Sequence, residues 1–340
     1  MLKSLTIGSL TVAHNVVLAP LAGITNLPFR LICRRLGASL AFTEMVSVNG
    51  LVREGLKTLA LLKSCDEDRP LGIQLFGDKP VDLAEAARMV EGYGDLLDIN
   101  MGCPVRKVVG TGAGSALLQD PLKVAAIVRT VRAATRLPLT IKIRSGWHCG
   151  DDVYPHIARI AEAEGCDAVT LHPRSRSQMF SGQADWDQIR LIKAALSIPV
   201  LGSGDLFTAQ DCFDLMRETG VDGVAVARGA IGNPWIFEQA RALAAGVVLP
   251  PPSLHRQREV IAEHYRMADE LYGPARACRV MRKFGIKYAR LHPQPQQVRD
   301  AFVAVHQPNQ WQSVLDRWYA EDLPGVQPTG PGDSFYASNT

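Results

Sequence analysis

Eight short apolar runs, separated by longer amphipathic stretches, constrain the fold of this chain more than any other feature. They are NVVLAPL (15–21), SLAFTEMV (39–46), LGIQLF (71–76), LLDINMG (96–102), LTIKIR (139–144), AVTLHPR (168–174), PVLGSG (199–204) and GVAVARG (223–229). Runs of this length read as buried strands, and they recur roughly every 25–40 residues. The segments between them carry a helical period, as in DPLKVAAIVRTVRAA after the fourth run and DDVYPHIARIAEAEG after the fifth. Strands that alternate with helices build parallel sheets, and eight such units close into a (β/α)8 TIM barrel. A doubly wound open sheet is the structural alternative, and the count of eight favours the barrel. With 340 residues and 47% hydrophobic content, the chain has enough material for a barrel and a smaller second unit.

In a barrel, chemistry sits at the C-terminal ends of the strands. Here those ends carry Pro20, Glu44, Gln74, Asn100, Lys142, His172, Gly204 and Arg228, polar or small types that a buried strand does not hold without partners. Past the barrel pattern, VVLPPPS (247–253) reads as a linker, because its prolines cannot continue a helix. Helical patterns over 254–272, 275–290, 295–305 and 309–320 predict an appended all-helical domain, and the Gly-, Pro- and Ser-rich stretch to residue 340 predicts a flexible tail over 321–340. No apolar run reaches the ~20 residues of a membrane span, and the first residues lack a secretory pattern. The expectation is a cytoplasmic protein without membrane partners. Seven scattered cysteines without CxxC spacing give no disulfide framework and no metal site, so the reading expects no metal.

Cys103 follows the fourth strand directly, before Pro104 and the glycines Gly110, Gly112 and Gly114. Most cysteines are packing residues, but a thiol titrates near 8.5 and can release its proton at modest cost, which suits a general acid. A nucleophilic cysteine is the other reading. Lys142 and Arg144 lie two apart and therefore share a face of strand five, where a cation can partner an anionic cofactor ring or phosphate. GSGD (202–205) and ARGA (227–230) end strands seven and eight, the usual phosphate site of barrels. The net charge of +3 is small, but residues 251–320 hold 11 Lys/Arg against 6 Asp/Glu. On one predicted helix, Arg276, Arg279, Lys283, Lys287 and Arg290 fall within an arc of about 80°, beside an apolar arc of Ala277, Met281, Phe284 and Tyr288. One face can dock while the other meets phosphates; a solvated basic face is the plainer alternative.

Taken in order, LAPLAGITNLPFR (18–30), TEM (43–45), QLFG (74–77), DINMGCP (98–104), GAGSALL (112–118), KIRSGW (142–147), LHPRSR (171–176), GSGD (202–205) and ARGAIGNPWIF (227–237) resemble the bacterial tRNA-dihydrouridine synthases, most closely their B subfamily. The resemblance implies an FMN-binding catalytic barrel over 1–246 and a tRNA-binding helical domain over 254–320. It implies that NADPH, or NADH, reduces FMN, that hydride passes to C6 of a uracil in the tRNA D-loop, and that Cys103 protonates C5. By the same matching, Pro20, Leu21, Ala22 and Gln74 line the flavin, Lys142 faces its pyrimidine edge with His172 nearby, and Ser203, Gly204, Asp205, Ala227 and Arg228 surround its phosphate. Asn100 and Arg144 match residues that contact the target uracil, and the row from Arg276 to Arg290 is expected to meet the tRNA backbone. A monomer is expected. The nearest rival is an FMN-dependent reductase of a free pyrimidine, of the dihydroorotate dehydrogenase kind.

Overall fold

A computed structural model describes residues 2–53 and 55–327. The chain begins with an antiparallel hairpin, β1 (Leu5–Ile7) and β2 (Leu10–Val12). Nine parallel strands follow: β3 (Val16–Leu18), β4 (Ala41–Phe42), β5 (Val46–Ser47), β6 (Leu71–Phe76), β7 (Leu96–Met101), β8 (Leu139–Arg144), β9 (Ala168–His172), β10 (Val200–Gly202) and β11 (Gly223–Val226). They pair in the order β3-β11-β10-β9-β8-β7-β6-β4, and β5 continues the β4 edge of β6. Leu18 N–H donates to Leu40 O at 2.9 Å across the remaining gap, so the eight-unit barrel is nearly closed. This is the architecture expected from the eight runs.

Alternation along the strands divides the core in two. Ile73, Leu75, Leu97, Ile99, Ile141, Ile143, Val169 and Leu171 face outward and pack with the surrounding helices. Val17, Ala19, Phe42, Leu96, Ala168, Leu201 and Ala225 form a separate cluster with Leu5, Ile7 and Val12 of the hairpin. These strand residues precede the polar positions, so the hairpin covers the N-terminal end of the barrel and leaves its C-terminal end to polar side chains.

The barrel helices are α1 (Leu27–Arg35), α2 (Val48–Val52), α3 (Leu56–Leu59), α4 (Pro80–Val90), α5 (Arg106–Val109), α6 (Pro121–Arg132), α7 (Tyr154–Ala163), α8 (Trp186–Ala195), α9 (Ala209–Thr219) and α10 (Ile236–Ala244). Local chemistry sets several starts. Asn26 Oδ1 accepts from Phe29 N at 3.1 Å, Asp120 Oδ1 accepts from Lys123 N at 3.0 Å, and Thr208 with Asp211 forms a reciprocal capping box.

After irregular chain at 247–253, four helices follow: α11 (Leu254–Tyr272), α12 (Pro274–Tyr288), α13 (Pro295–Val303) and α14 (Pro308–Trp318). They dock on the barrel through an aromatic cluster in which His264 stands 5.8 Å from Phe29 and 4.5 Å from Phe284, centroid to centroid. The stretch read as a tail from 321 begins with paired residues. Leu254 N–H donates to Leu323 O and Val326 N–H to Leu291 O, both at 2.9 Å, while residues 328–340 lie outside the described residues. Among the described residues, no helix is long and apolar enough to cross a membrane.

Candidate active site

Cys103 stands two residues beyond the end of β7, and the loop that follows folds back onto it. Its carbonyl accepts from Ser115 N–H and Ser115 Oγ, each at 3.0 Å. Gly114 makes that approach possible: it has φ +61°, and a Cβ there would lie 2.7 Å from Cys103 O. The thiol is 8% exposed and sits with Val108, Ala113, Met45 and Phe76. Burial pushes its pKa up, against the opposing pulls of the Val105 backbone N–H and the cations Arg144 and Lys142. The group is therefore protonated at neutral pH, as a proton donor must be.

The neighbouring strands align the remaining polar groups in layers. Gln74 is paired with Asp98, Asp98 with Thr140, Asn100 with Lys142, Lys142 with Thr170, and Arg144 with His172. Lys142 is drawn down to about 8 by burial and by Arg144, while Asp98 and Cys103 pull it up. Arg144 is lowered to about 10 by burial and then by Arg174. Its guanidinium donates to Gly102 O, Ser175 O and Met179 O, and no carboxylate pairs with it among the described residues. His172 falls well below the usual imidazole range because burial and four neighbouring cations disfavour its charged form. It is a neutral ring, 3.4 Å from Arg174 Nη1.

The phosphate-type turns are adjacent to these groups but are partly committed. Ser203 N–H donates to Leu171 O at 3.0 Å, so the sheet uses it. The Asp205 carboxylate accepts from Arg174 at 2.7 and 3.0 Å, from Arg228 at 3.1 Å and from Ala184 N–H at 2.7 Å. Among the described residues, the groups there that can meet an anion are the N–H groups of Gly204 and Ala227, whose carbonyls are bonded to Trp186 Nε1 and Ala230 N–H, and the partly exposed Arg228 guanidinium. Beside them, after the β3 strand that pairs with β11, Leu21 N–H donates to Thr25 Oγ1 at 3.1 Å and Leu21 O accepts from the N–H groups of Ile24 and Thr25, closing a turn just past Pro20. The mouth as a whole holds Lys142, Arg144, Arg174 and Arg228 against Asp98 and Asp205. That uncompensated positive charge in a low-dielectric site fits an anionic group such as a flavin phosphate and an electron-rich ring.

The predicted basic row does not stay together. Arg276 and Arg279 are exposed on α12. Lys283 is turned to the mouth, where its Nζ donates to Gly23 O, while Gly23 N–H donates to Glu44. Lys287 is half-buried. Arg290 corrects the expectation of a surface cation. The α-helix ends at Tyr288, the next three residues form a 3-10 turn, and Arg290 is 4% exposed with Nη2 donating to Gly229 O at 2.9 Å. It ties the helices to the barrel.

Three participants escaped the sequence reading. Asp98 lay inside DINMGCP and Thr140 beneath Lys142, where strand alternation put them on the inner face. Arg174, two residues past His172 and 1% exposed, is held by Asp205 and by Ser181 O and Gly182 O. Its signal was a cation at a strand end, the criterion that selected Arg228.

The parallel barrel thus carries a buried thiol beside a lysine and an arginine at its mouth. The family model described as dihydrouridine synthase matches residues 17–322. The chain belongs to the dihydrouridine synthase family. It is 41% identical over 324 residues to tRNA-dihydrouridine synthase B of Xanthomonas campestris pv. campestris, covering 95% of this chain and 98% of the relative. It is 37% identical over 315 residues to tRNA-dihydrouridine synthase B of Escherichia coli K12, covering 92% and 98%. Among solved structures, a 2-naphthoyl-CoA reductase complex aligns with TM-score 0.57 at 13% identity, over 72% of this chain and 52% of that one, a likeness of fold alone.

Proposed function

We infer that the protein reduces a uridine in the D-loop of tRNA to 5,6-dihydrouridine, with FMN as its cofactor and NADPH as the reductant. The observation that carries this reading is the protonated Cys103 thiol held beside Lys142 and Arg144 at the barrel mouth, in a chain of this family. Bound FMN would supply hydride for uracil C6. Pro20, Leu21, Ala22 and Lys142 would hold its ring, and Gly204, Ala227 and Arg228 its phosphate, while Gln74, expected at the ring, is fully buried with both ends of its amide bonded to Asp98 and Asn100.

Each protein group then has a distinct task. The Cys103 thiol delivers a proton to C5 of the uracil, and its raised pKa keeps that proton in place at neutral pH. The Lys142 ammonium lies close to neutral pH in its titration and offsets negative charge on the pyrimidine edge. Arg144 orients the uracil, Asn100 commits its amide to Gln74 and to the turn that carries Cys103, and His172, kept neutral by burial and its cationic neighbours, adds no further positive charge. A uracil must leave its stack to reach a barrel mouth, which requires cations beside the mouth to hold the RNA backbone. Arg276 and Arg279 on α12 supply exposed ones.

The test is direct. Purified protein, FMN and NADPH are incubated with tRNA lacking dihydrouridine, and the digested nucleosides are measured by mass spectrometry. New dihydrouridine at a D-loop position supports the reading. Reduction of a free pyrimidine with no change in tRNA would replace it with the small-molecule reductase.

A further inference from the structure

Beneath Cys103 runs a chain of buried polar groups whose hydrogen bonds all run toward Asp98. Thr140 Oγ1 donates to Asp98 Oδ1 at 2.6 Å, and Gln74 Nε2 donates to Asp98 Oδ2 at 2.7 Å. Asn100 Nδ2 donates to Gln74 Oε1 at 3.0 Å. Asn100 Oδ1 in turn accepts from Cys103 N–H at 2.9 Å and from Gly102 N–H at 3.2 Å. Gln74, Asp98, Asn100 and Thr140 are 0%, 2%, 7% and 4% exposed, so bulk water cannot substitute for a lost partner.

We propose that Asp98 is a positioning residue which, through Gln74 and Asn100, sets the direction of this chain and thereby fixes the backbone that carries the Cys103 thiol. The inference rests on the reading of Cys103 as the proton donor. Its logic is one of donors and acceptors. An ionised carboxylate only accepts, so Gln74 must turn its NH₂ toward Asp98 and its carbonyl toward Asn100. Asn100 must then give its NH₂ to Gln74, which leaves its carbonyl for the two N–H groups of the Cys103 turn. Reversing Gln74 would set its carbonyl against the carboxylate and its NH₂ against that of Asn100, and reversing Asn100 would set its NH₂ against the backbone N–H groups of the turn, leaving buried donors without acceptors. A buried carboxylate is costly, as the rise of Asp98 to about 6 records, and simple packing would be served by an apolar side chain.

The chain's polarity gives a test that packing alone does not imitate. In Asp98→Asn the new amide can keep its carbonyl toward Gln74 by offering its NH₂ to Thr140, whose hydroxyl can turn to accept. In Thr140→Val the carboxylate still enforces the direction. In the double variant the NH₂ finds its acceptor only at Gln74 Oε1, and the whole chain reverses.

Two readouts follow for the parent, both single variants and the double variant, each first checked for folding by thermal melting. One is reoxidation of the NADPH-reduced protein by tRNA. The other, which needs no substrate, is iodoacetamide labelling of Cys103 under native conditions, read by mass spectrometry on its own peptide apart from the exposed Cys65 and Cys149. Each single change is expected to slow reoxidation less than about threefold, and the double change at least about tenfold beyond their product, since groups sharing one network are not additive. Cys103 labelling should accelerate in the double variant alone. Effects that simply multiply, or equal labelling in all four proteins, would overturn the proposal. If no protein responds to tRNA while labelling keeps the non-additive pattern, the positioning role stands and the tRNA reading falls.

Discussion

At the scale of single residues, the site sets a protonated thiol beside Lys142 and Arg144, neither of which forms an ion pair with a carboxylate among the described residues. Replacing Cys103 with Ala removes the proposed proton donor, and the expected loss is about 10²- to 10⁴-fold in dihydrouridine formation, the usual range for a general acid. Flavin reduction by NADPH should persist in that variant, as followed by absorbance. Because burial raises the thiol pKa, the parent's rate should hold through neutral pH and decline only above the ordinary thiol range. Lys142 predicts a trade of stability for function. Its ammonium is held down to about 8 from 10.5, so its burial costs nothing above 10.5, costs more as the pH falls toward about 8, and is constant below that. Lys142→Met should therefore be more stable at pH 7 by about 1–3 kcal/mol in denaturant melts, an advantage that shrinks toward pH 10, and it should lose activity. Lys142 and Asn100 stood out because each is a polar residue near the end of a buried strand, and Cys103 because it lies just past one, before a proline and a glycine-rich loop. Arg174 and Asp98 were obscured because their meaning lies in partners distant in sequence.

At the scale of elements, the strand periodicity was close to complete. β6 and β8 have the bounds their apolar runs suggested, since six continuous apolar or inward-facing positions leave little freedom. The run at 39–46 divides into β4 and β5 around Thr43, whose hydroxyl accepts from Gln74 N–H at 3.1 Å in place of a further strand bond. The N-terminal hairpin gave no warning, as three-residue strands are shorter than any periodic signal. On α12 the helical wheel placed five cations in one arc by continuing the helix through residue 290, and the 3-10 turn after Tyr288 breaks that register. The element therefore predicts divided behaviour. Arg276→Ala and Arg279→Ala should each flatten the salt dependence of tRNA binding by about one unit of slope. Lys283→Ala should instead alter the Gly23–Glu44 turn at the mouth, read as a change in flavin affinity at fixed salt.

At the scale of the molecule, the helical region and the barrel share a core. Phe284 lies fully buried, 5.2 Å from Phe29 of α1 and 4.5 Å from His264 of α11. Gly232 after β11 has φ +76°, and a Cβ there would overlap Lys287 O of α12, so the two parts meet backbone to backbone. Phe284→Ala should cost about 3–5 kcal/mol and lower the midpoint of one shared unfolding transition, measured by denaturant titration with fluorescence and circular dichroism together. A helical region that melts separately, with the barrel unmoved, would contradict this. Such docking was beyond the reach of sequence, because it depends on which apolar faces meet and not on their number.

In the proposed reaction, Cys103 gives its proton to a uridine of tRNA at the mouth of this barrel. The most direct measurement is anaerobic: the flavin is reduced with NADPH, tRNA lacking dihydrouridine is added, and flavin reoxidation is followed in the parent and in Cys103→Ala. Rapid reoxidation is expected in the parent, with a loss of about 10²-fold or more in the variant. Equal rates in the two proteins, or a reduced flavin indifferent to tRNA in the parent, would contradict it.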